Sequence, residues 1–235
     1  MRRNYLYNRR ENMEDTIKQI LFSLGADVCG IANIDRFIST PEGFLPTDVF
    51  EKCKAVIVFG KALPKGLTHV SSRLVYGYYN YFSCSEVDRI ALQAANKIEH
   101  LFNARAVPMP CDAPYEFWDK ETLTGKGLIS MKHAAVLAGL GELGKNSLLI
   151  NAQFGNLLTI GAVLVDIDLK SDELCQGICI ANCTKCIDSC PVHAIENRCV
   201  NQALCRTNTY SKTQRGFDTV ECNECRVVCP MRYGI

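Results

Sequence analysis

The sequence predicts an α+β layered domain over residues 1–170, followed by a small cysteine-rich domain over residues 171–235. Apolar segments with helical and strand-like spacing alternate through the first part, which is typical of a sheet covered by helices. Regular periodicity then ends near Ser171, and ten of the 14 cysteines follow it. The formal net charge of +1 gives no chain-wide electrostatic reason to expect binding to nucleic acid or membrane.

Three segments of the first part are predicted to be helices. Apolar residues recur at helical spacing from Met13 to Leu24, where Gly25 ends the pattern. The same period runs through residues 85–102, with Ser85 as the expected N-cap. Residues 131–138 form a shorter, alanine-rich helix.

Four short apolar runs rich in β-branched residues are predicted to be buried strands. Charged residues, glycine or proline bound each run, and the runs cover residues 27–34, 55–60, 104–109 and 157–165. The order helix, strand, strand, helix, strand, helix, strand therefore indicates one layered domain.

The segment after Ser171 carries seven basic and seven acidic residues and few large aliphatic side chains. It is too poor in apolar residues to build a core unaided, so bonds to its cysteines must hold it together. The N-terminus has no apolar signal segment, which argues against secretion and disulfides. The longest uncharged stretch, residues 146–165, contains four amide side chains, so we expect no membrane span and a cytoplasmic protein.

The cysteines of this segment form two runs that each end in C-x-x-x-C-P, the ferredoxin motif for [4Fe–4S] clusters. In that motif three neighbouring thiolates bind one cluster, and the cysteine before the proline binds the other. The crossed rule predicts two ligand sets. They are Cys179, Cys183, Cys186 and Cys229 for one cluster, and Cys190, Cys205, Cys222 and Cys225 for the other.

Two departures from the usual spacing leave alternatives open. The gap from Cys179 to Cys183 is one residue longer than C-x-x-C, so Cys175 is an alternative ligand to Cys179. A zinc ribbon needs paired C-x-x-C motifs 15–20 residues apart, whereas Cys186 and Cys222 bracket 35 residues. Zinc is therefore a weaker interpretation. The four upstream cysteines are expected to be buried thiols, namely Cys29, Cys53, Cys84 and Cys111.

A glycine-rich loop follows the alanine-rich helix and contains G-x-G-x-x-G at Gly139, Gly141 and Gly144. It nearly completes a P-loop, but Asn146 stands where Ser or Thr would bind magnesium. The loop also follows a helix and precedes a strand, which is the reverse of a dinucleotide fingerprint. A glycine C-cap with a tight turn is the simplest alternative, and close approach of the backbone to a flat cofactor is another.

The chain resembles the epoxyqueuosine reductase family, corrinoid and iron–sulfur enzymes related to reductive dehalogenases. The matching stretches are GADVCGIANI, KAVIVFG, YGYYNY, PCDAP and AGLGELGKNSLLI, followed by both cysteine runs. The resemblance implies a nitroreductase-like first domain and a two-cluster ferredoxin-like second domain. It also implies electron transfer from the clusters to a corrinoid, cobalamin, and on to a substrate.

The resemblance gives Asp112 the role of proton donor to the substrate. That role requires a raised pKa, which burial beside Pro110 and Tyr115 would supply. An ordinary turn residue before Pro114 fits the spacing equally well. The resemblance also places the glycine loop against the corrinoid. The candidate cofactor-binding residues are Gly139, Gly141, Gly144, Lys145, Asn146 and Ser147.

Substrate and partners are less constrained. The chain ends at Ile235, where full-length members continue into a helical repeat region used in tRNA recognition, and an insertion, YEFWDKETLTGKG, is expected to reshape or cover the pocket. Because the cysteine-rich segment is charge-neutral, tRNA is an open question as a substrate, and the low-potential electron donor is unidentified. The expected function is an iron–sulfur oxidoreductase, with a ferredoxin-like electron carrier that binds no corrinoid as the alternative.

Overall fold

The computed structural model is built on a four-stranded antiparallel sheet and describes residues 12–113, 115–196, 198–212, 216, 218–219 and 221–235. The helices are α1 (Met13–Ser23), α2 (Pro46–Val49), α3 (Arg73–Phe102), α4 (Met131–Leu137), α5 (Lys185–Asp188), α6 (Gln202–Thr209) and α7 (Glu224–Val227). The strands are β1 (Val28–Asn33), β2 (Ala55–Ala62), β3 (Ala106–Met109), β4 (Phe117–Asp119), β5 (Thr124–Lys126), β6 (Glu142–Leu143), β7 (Leu149–Ile150), β8 (Leu158–Val165), β9 (Ile195–Glu196), β10 (Cys199–Val200), β11 (Ser211–Lys212) and β12 (Asp218–Thr219).

The central sheet has the strand order β1–β2–β8–β3, with every neighbouring pair antiparallel. All four predicted strands form it, with ends within two residues of the expected ones. Strand β3 lies at the edge and pairs only with β8, which explains how Pro108 is accommodated opposite Val163. The mixed α/β character expected from the sequence is confirmed.

Helices and loops cover both faces of this sheet. Ile57 and Phe59 pack on one face with α1 and α3, while Val56 and Val58 pack on the other face with α4. Every residue of β8 is buried as a consequence. Continuous apolar strands usually indicate a parallel sheet, but here they mark an antiparallel sheet covered on both sides.

Helix α3 begins at Arg73, twelve residues before the expected start, and Ser72 rather than Ser85 is its N-cap. The sequence prediction was wrong here because the first turns bury their inner face against distant parts of the chain. Ser83, for example, hydrogen-bonds through its hydroxyl to Thr159 of β8 at 2.6 Å. None of the described helices is both long and apolar enough to cross a membrane.

The chain leaves the sheet along β1 before it enters the cysteine-rich segment. The amide of Asp172 donates to the carbonyl of Ile31 at 2.9 Å, and the amide of Asn33 donates to Ser171 Oγ at 2.8 Å. The end of the chain returns to the same domain, where the amide of Ile235 donates to Ala152 O at 2.8 Å. The cysteine-rich segment is therefore held to the first part at both of its ends.

Candidate functional site

Four cysteines line one cavity at the junction of the glycine loop and the cysteine-rich segment. They are Cys179, Cys183, Cys186 and Cys229. The loop contributes Lys145, Asn146 and the neighbouring Ile150 to the same lining. Cys175 packs nearby against Ile150 and Ile178 but is not part of the cavity wall. The cavity thus collects the first predicted ligand set, including the distant Cys229.

The second set assembles around Cys190, which is buried with Ala194 and Ile195. Cys205 and Cys225 pack against this group. Burial, with the nearby thiols of Cys222 and Cys205, raises the pKa of Cys225 to about 12, against the opposing effect of the Arg226 guanidinium. The amide of Asn208 lies 3.2 Å from Cys222 Sγ and donates to it. Cys190 and Cys229 are thus each grouped with the other run, as the crossed rule requires.

The thiol groups suit a cluster better than a single metal ion. Within the described ranges, no three His, Cys, Asp or Glu side chains are arranged to hold one metal ion. A [4Fe–4S] cube takes one thiolate on each iron, so its ligands surround a volume and do not converge on a point. Burial and the neighbouring thiols raise the pKa of Cys186, so this thiol ionises readily only against a positive centre such as iron.

At each of the three glycines of the loop, other atoms of the protein lie where a side chain would begin. Gly139 ends α4 with φ of 75°, and a Cβ there would overlap the carbonyl oxygen of Glu173. A Cβ at Gly141 would overlap the carbonyl oxygen of Ile150, and one at Gly144 would lie 2.7 Å from the Ile150 side chain. The loop matches the C-cap and tight-turn interpretation. These glycines do not fit a cofactor cradle, because protein atoms occupy the space that their missing side chains leave.

The polar residues of the loop bind the cysteine runs. Lys145 Nζ donates to the carbonyls of Ala181 and Cys183, the latter at 2.8 Å. Asn146, which is buried, donates through Nδ2 to the carbonyl of Cys225 at 3.0 Å. Ser147 Oγ accepts a hydrogen bond from Lys132 Nζ at 3.0 Å. Lys145 and Asn146 therefore hold one cysteine run each, a role that the motif did not suggest.

Glu142 is a site residue that the sequence reasoning missed. Its carboxylate accepts hydrogen bonds from the amides of Ile178 at 2.8 Å and Cys179 at 3.1 Å, and Arg198 lies 2.7 Å away. Partial burial alone would raise its pKa, but these donors together hold the pKa below its usual value. The only signal in the sequence was an acidic residue inside a glycine loop.

Asp112 lies just beyond β3 on an exposed loop, so the expected burial beside Pro110 and Tyr115 is not present. Its Oδ1 accepts a hydrogen bond from the Tyr115 hydroxyl at 3.0 Å. Partial burial and the neighbouring carboxylate raise the pKa of Tyr115 to about 12, so this hydroxyl stays a donor. The Tyr115 ring stacks on Trp118 with centroids 5.6 Å apart.

The insertion after Asp112 forms the β4–β5 hairpin, which reaches α6. Gly125 and the side chain of Gln202 exchange two hydrogen bonds, of 2.9 and 3.1 Å. The Arg206 guanidinium lies 4.9 Å from the Trp118 ring centroid and also donates to the carbonyl of Leu123. The hairpin therefore connects the Asp112 loop to the helix that carries Cys205.

A second concavity, which includes Arg73, Asn208 and Cys222 in its wall, lies beside the second cysteine group. Arg73 donates to the carbonyls of Glu221 at 2.6 Å and Asn208 at 2.8 Å. Asn80 Nδ2 donates to Glu221 Oε1 at 3.2 Å, and burial raises the pKa of that glutamate to about 6. The early turns of α3 thus form part of the site.

Comparison with known proteins gives relatives by sequence and by structure, while no family model matches the chain. The epoxyqueuosine reductase of Lactococcus garvieae is 32% identical over 111 residues, covering 43% of this chain and 31% of the relative. That of Vibrio cholerae is 36% identical over 107 residues, covering 40% of this chain and 28% of the relative. The matches therefore span less than a third of these relatives.

Solved structures match nearly the whole chain at low identity. Epoxyqueuosine reductase from Streptococcus thermophilus has a TM-score of 0.67 at 18% identity, covering 96% of this chain and 67% of that chain. An epoxyqueuosine reductase bound to an epoxyqueuosine-modified tRNA-Tyr stem loop has a TM-score of 0.65 at 18% identity, covering 94% and 65%. A reductive dehalogenase whose structure suggests a mechanism for B12-dependent dehalogenation has a TM-score of 0.53 at 15% identity, covering 92% and 29%. By sequence over part of the chain and by fold over nearly all of it, the chain is similar to the epoxyqueuosine reductases, and its fold also resembles that of a reductive dehalogenase.

Proposed function

We propose that the chain is an iron–sulfur reductase in which two [4Fe–4S] clusters supply electrons to a corrinoid and, through it, to a substrate. The grouping of the thiols is the observation that carries the proposal. Cys229 lines the cavity of the first run, while Cys190 packs with Cys205 and Cys225 of the second. This exchange between runs is the arrangement of two-cluster ferredoxins. Residues 171–235 would form the ferredoxin-like domain, and residues 1–170 the nitroreductase-like domain.

When bound, the clusters supply electrons one at a time, and the corrinoid supplies the reducing centre. The chain's own residues fix where those groups sit. Lys145 and Asn146 hold the carbonyls of the two cysteine runs, and Glu142 holds two amides of the first run. These contacts fix the backbone from which the thiolates project. The ligand positions are therefore set partly by the glycine loop.

Asp112 is proposed to carry the proton that the reduced substrate takes up. The Tyr115 hydroxyl occupies Oδ1, which leaves Oδ2 as the oxygen that delivers the proton. Asp112 itself is exposed. The carboxyl is therefore open to solvent, and Tyr115 and the β4–β5 hairpin set its orientation.

The corrinoid is proposed from the family resemblance and from the B12-dependent relative. The residues of the glycine loop supply no cradle for it. Backbone atoms of the protein occupy the space beside Gly139 and Gly141, and Lys145 and Asn146 bind the cysteine runs. We therefore assign no step of the reaction to that loop.

Anaerobic reconstitution with iron and sulfide tests the cluster proposal. Two clusters predict about eight irons per chain, and a content of about four would mean that one of the two assigned ligand sets is wrong. Cys190→Ala and Cys229→Ala should each lower the iron content by up to half. Cys199→Ala, which changes an exposed cysteine outside both sets, is the matched control and should keep the full content.

Titration with cob(II)alamin tests the corrinoid proposal separately. Binding to the cluster-loaded chain should change the cobalt EPR spectrum. An unchanged spectrum with full iron content would instead favour the electron carrier that binds no corrinoid, an alternative that the similarity to epoxyqueuosine reductases does not favour.

A tRNA substrate is a second candidate, because the relative that was solved with a tRNA stem loop matches 94% of this chain. The basic run Arg2, Arg3, Arg9 and Arg10 lies outside the described residues, and the cysteine-rich segment is charge-neutral. Binding of tRNA that weakens steeply with salt would support this candidate, and no binding at low salt would remove it.

A further inference from the structure

Two cysteines outside the ferredoxin runs meet beside Asp112. Cys84 lies on α3, and Cys111 lies two residues beyond the end of β3, directly before Asp112. Their side chains are neighbours, because Cys84 has the largest influence on the pKa of Cys111 and the amide of Cys111 is bound to Asp88, one turn along α3 from Cys84. The sequence led us to expect buried thiols at both positions, but both side chains are partly exposed. They therefore form an accessible pair.

The backbone on both sides of this pair is fixed. The amide of Cys111 donates to Asp88 Oδ1 at 2.8 Å, and Asp88 lies one helical turn beyond Cys84 on α3. Cys84 Sγ itself lies 3.5 Å from the carbonyl of Asn80, one turn earlier. The two sulfurs are thus brought together by the attachment of the loop to the helix.

The other upstream cysteines have different surroundings. Cys53 is 4% exposed and directs its thiol to the carbonyl of Ala55 at 3.4 Å. Burial raises the pKa of Cys29 to about 12, with Lys18 and Asp172 as its charged neighbours. Cys53 is the buried thiol that the sequence predicts and serves as the internal reference for Cys84 and Cys111, whereas Cys29 is partly exposed.

We propose that Cys84 and Cys111 are a modification site at which a reversible disulfide ties the loop carrying Asp112 to α3. The oxidant is a low-molecular-weight disulfide of the glutathione type. One sulfur of the pair attacks it, forms a mixed disulfide and releases one small thiol. The partner sulfur then attacks the mixed disulfide and releases the second small thiol. Two cysteine sulfurs are oxidised, one small disulfide is reduced, and both protons leave on the released thiols.

Cys84, together with burial and the carboxylates of Asp88 and Asp112, raises the pKa of Cys111, which favours the protonated thiol of Cys111 in the reduced chain.

The disulfide would change the mobility of the Asp112 loop. In the reduced chain, the hydrogen bond to Asp88 and the packing of Cys111 connect the start of the loop to α3. A covalent bridge adds a connection that cannot open while it lasts. The consequence for catalysis rests on the proposed function of Asp112, but formation of the bridge does not.

Peptide mapping of the full, cluster-loaded chain tests the site. The protein is equilibrated anaerobically with a glutathione redox series, alkylated with N-ethylmaleimide and digested, while visible absorbance checks that the clusters stay intact. We expect a linked peptide joining residues 84 and 111 that has lost two hydrogens and that dithiothreitol reverses. Cys53 should remain an unlinked thiol throughout, and Cys84→Ser should leave Cys111 alkylated.

Hydrogen exchange reports the effect on the loop without any activity assay. Exchange of the amides from 111 to 113 should slow by about tenfold or more on oxidation, and Cys111→Ser should abolish the change. If both thiols stay separately alkylated at every redox ratio while absorbance is unchanged, the proposal is wrong. A linked peptide with unchanged exchange would overturn the tethering of the loop. Neither result depends on corrinoid binding or on proton donation by Asp112.

Discussion

The two parts of the molecule are held together by different physical means. Each residue of β8 is buried, and apolar side chains pack on both faces of the sheet. Among the described residues from 171 onward, only six are buried, and one of these is charged. They are Ile178, Cys190, Ala194, Ile195, Arg226 and Cys229. The first part is stabilised by burial of apolar surface, whereas the second buries few side chains and depends on contacts with its neighbour.

The contacts between the parts show how that dependence works. The glycine loop belongs to the first part, but Glu142, Lys145 and Asn146 bind backbone groups of the cysteine runs. The small domain therefore assembles on a surface that the large domain already presents. We expect perturbations of the first part to reach the second more readily than the reverse.

Removal of iron should give the largest difference in hydrogen-exchange protection between the two parts. Anaerobic chelation is expected to abolish hydrogen-exchange protection in α5 and α7, because Cys186 on α5 and Cys225 on α7 would each lose the proposed cluster that links its run to the other run. Amides of β2 and β8 should keep their protection, since the sheet has its own core. Loss of protection in both parts together would contradict the comparison.

Truncation of a core side chain should instead destabilise the first part. Leu164→Ala in β8 removes a fully buried side chain and should lower the free energy of unfolding by about 2–5 kcal/mol in denaturant titrations. Leu101→Ala, at a half-exposed position on α3, is the matched control and should change it by no more than about 0.5 kcal/mol. Equal effects of the two changes would argue against a core centred on β8.

Asn146→Ala should weaken the junction between the parts. It removes the donor to the Cys225 carbonyl and the acceptor of the Leu148 amide, at a cost of about 1–3 kcal/mol for groups left buried and unpaired. Faster hydrogen exchange in α7 and lower iron retention would report this loss. Gln93→Ala, on the surface of α3, should leave both unchanged, and an identical result for the two variants would remove Asn146 from the junction.

The smallest effect is expected at the hairpin. Arg206→Ala removes the cation above Trp118, which contributes about 0.5–1 kcal/mol at an exposed site. Hydrogen exchange in β4 and β5 should quicken slightly, with iron content unchanged. Arg89→Ala, which breaks a surface ion pair with Glu86 and a hydrogen bond to Gln93, is the control. A large loss of iron in Arg206→Ala would show that the hairpin supports the second cysteine group directly.

Predictions from the sequence succeeded where the determining pattern is local. The strands are runs of adjacent apolar residues, and their positions were predicted to within two residues. The glycine loop was recognised as important, but its partners are the carbonyls of Cys183 and Cys225, which lie far along the chain. Asp112 was expected to be buried, yet it is exposed, and no distant segment among the described residues covers it. Cys84 and Cys111 lie 27 positions apart, so no local pattern indicated their contact.

The sequence by itself determined the division into a layered domain and a cysteine-rich segment, and it determined the positions of the strands. It also gave the cysteine spacing that predicts two crossed ligand sets. Each of these features depends on residues that are close together in the chain. The tertiary structure decided the insertion of β8 between β2 and β3, the early start of α3, and the direction of the glycine loop toward the cysteine runs. It also decided the exposure of Asp112 beside the paired thiols. These features depend on contacts between residues far apart in the chain, and only packing of the complete fold brings such residues together.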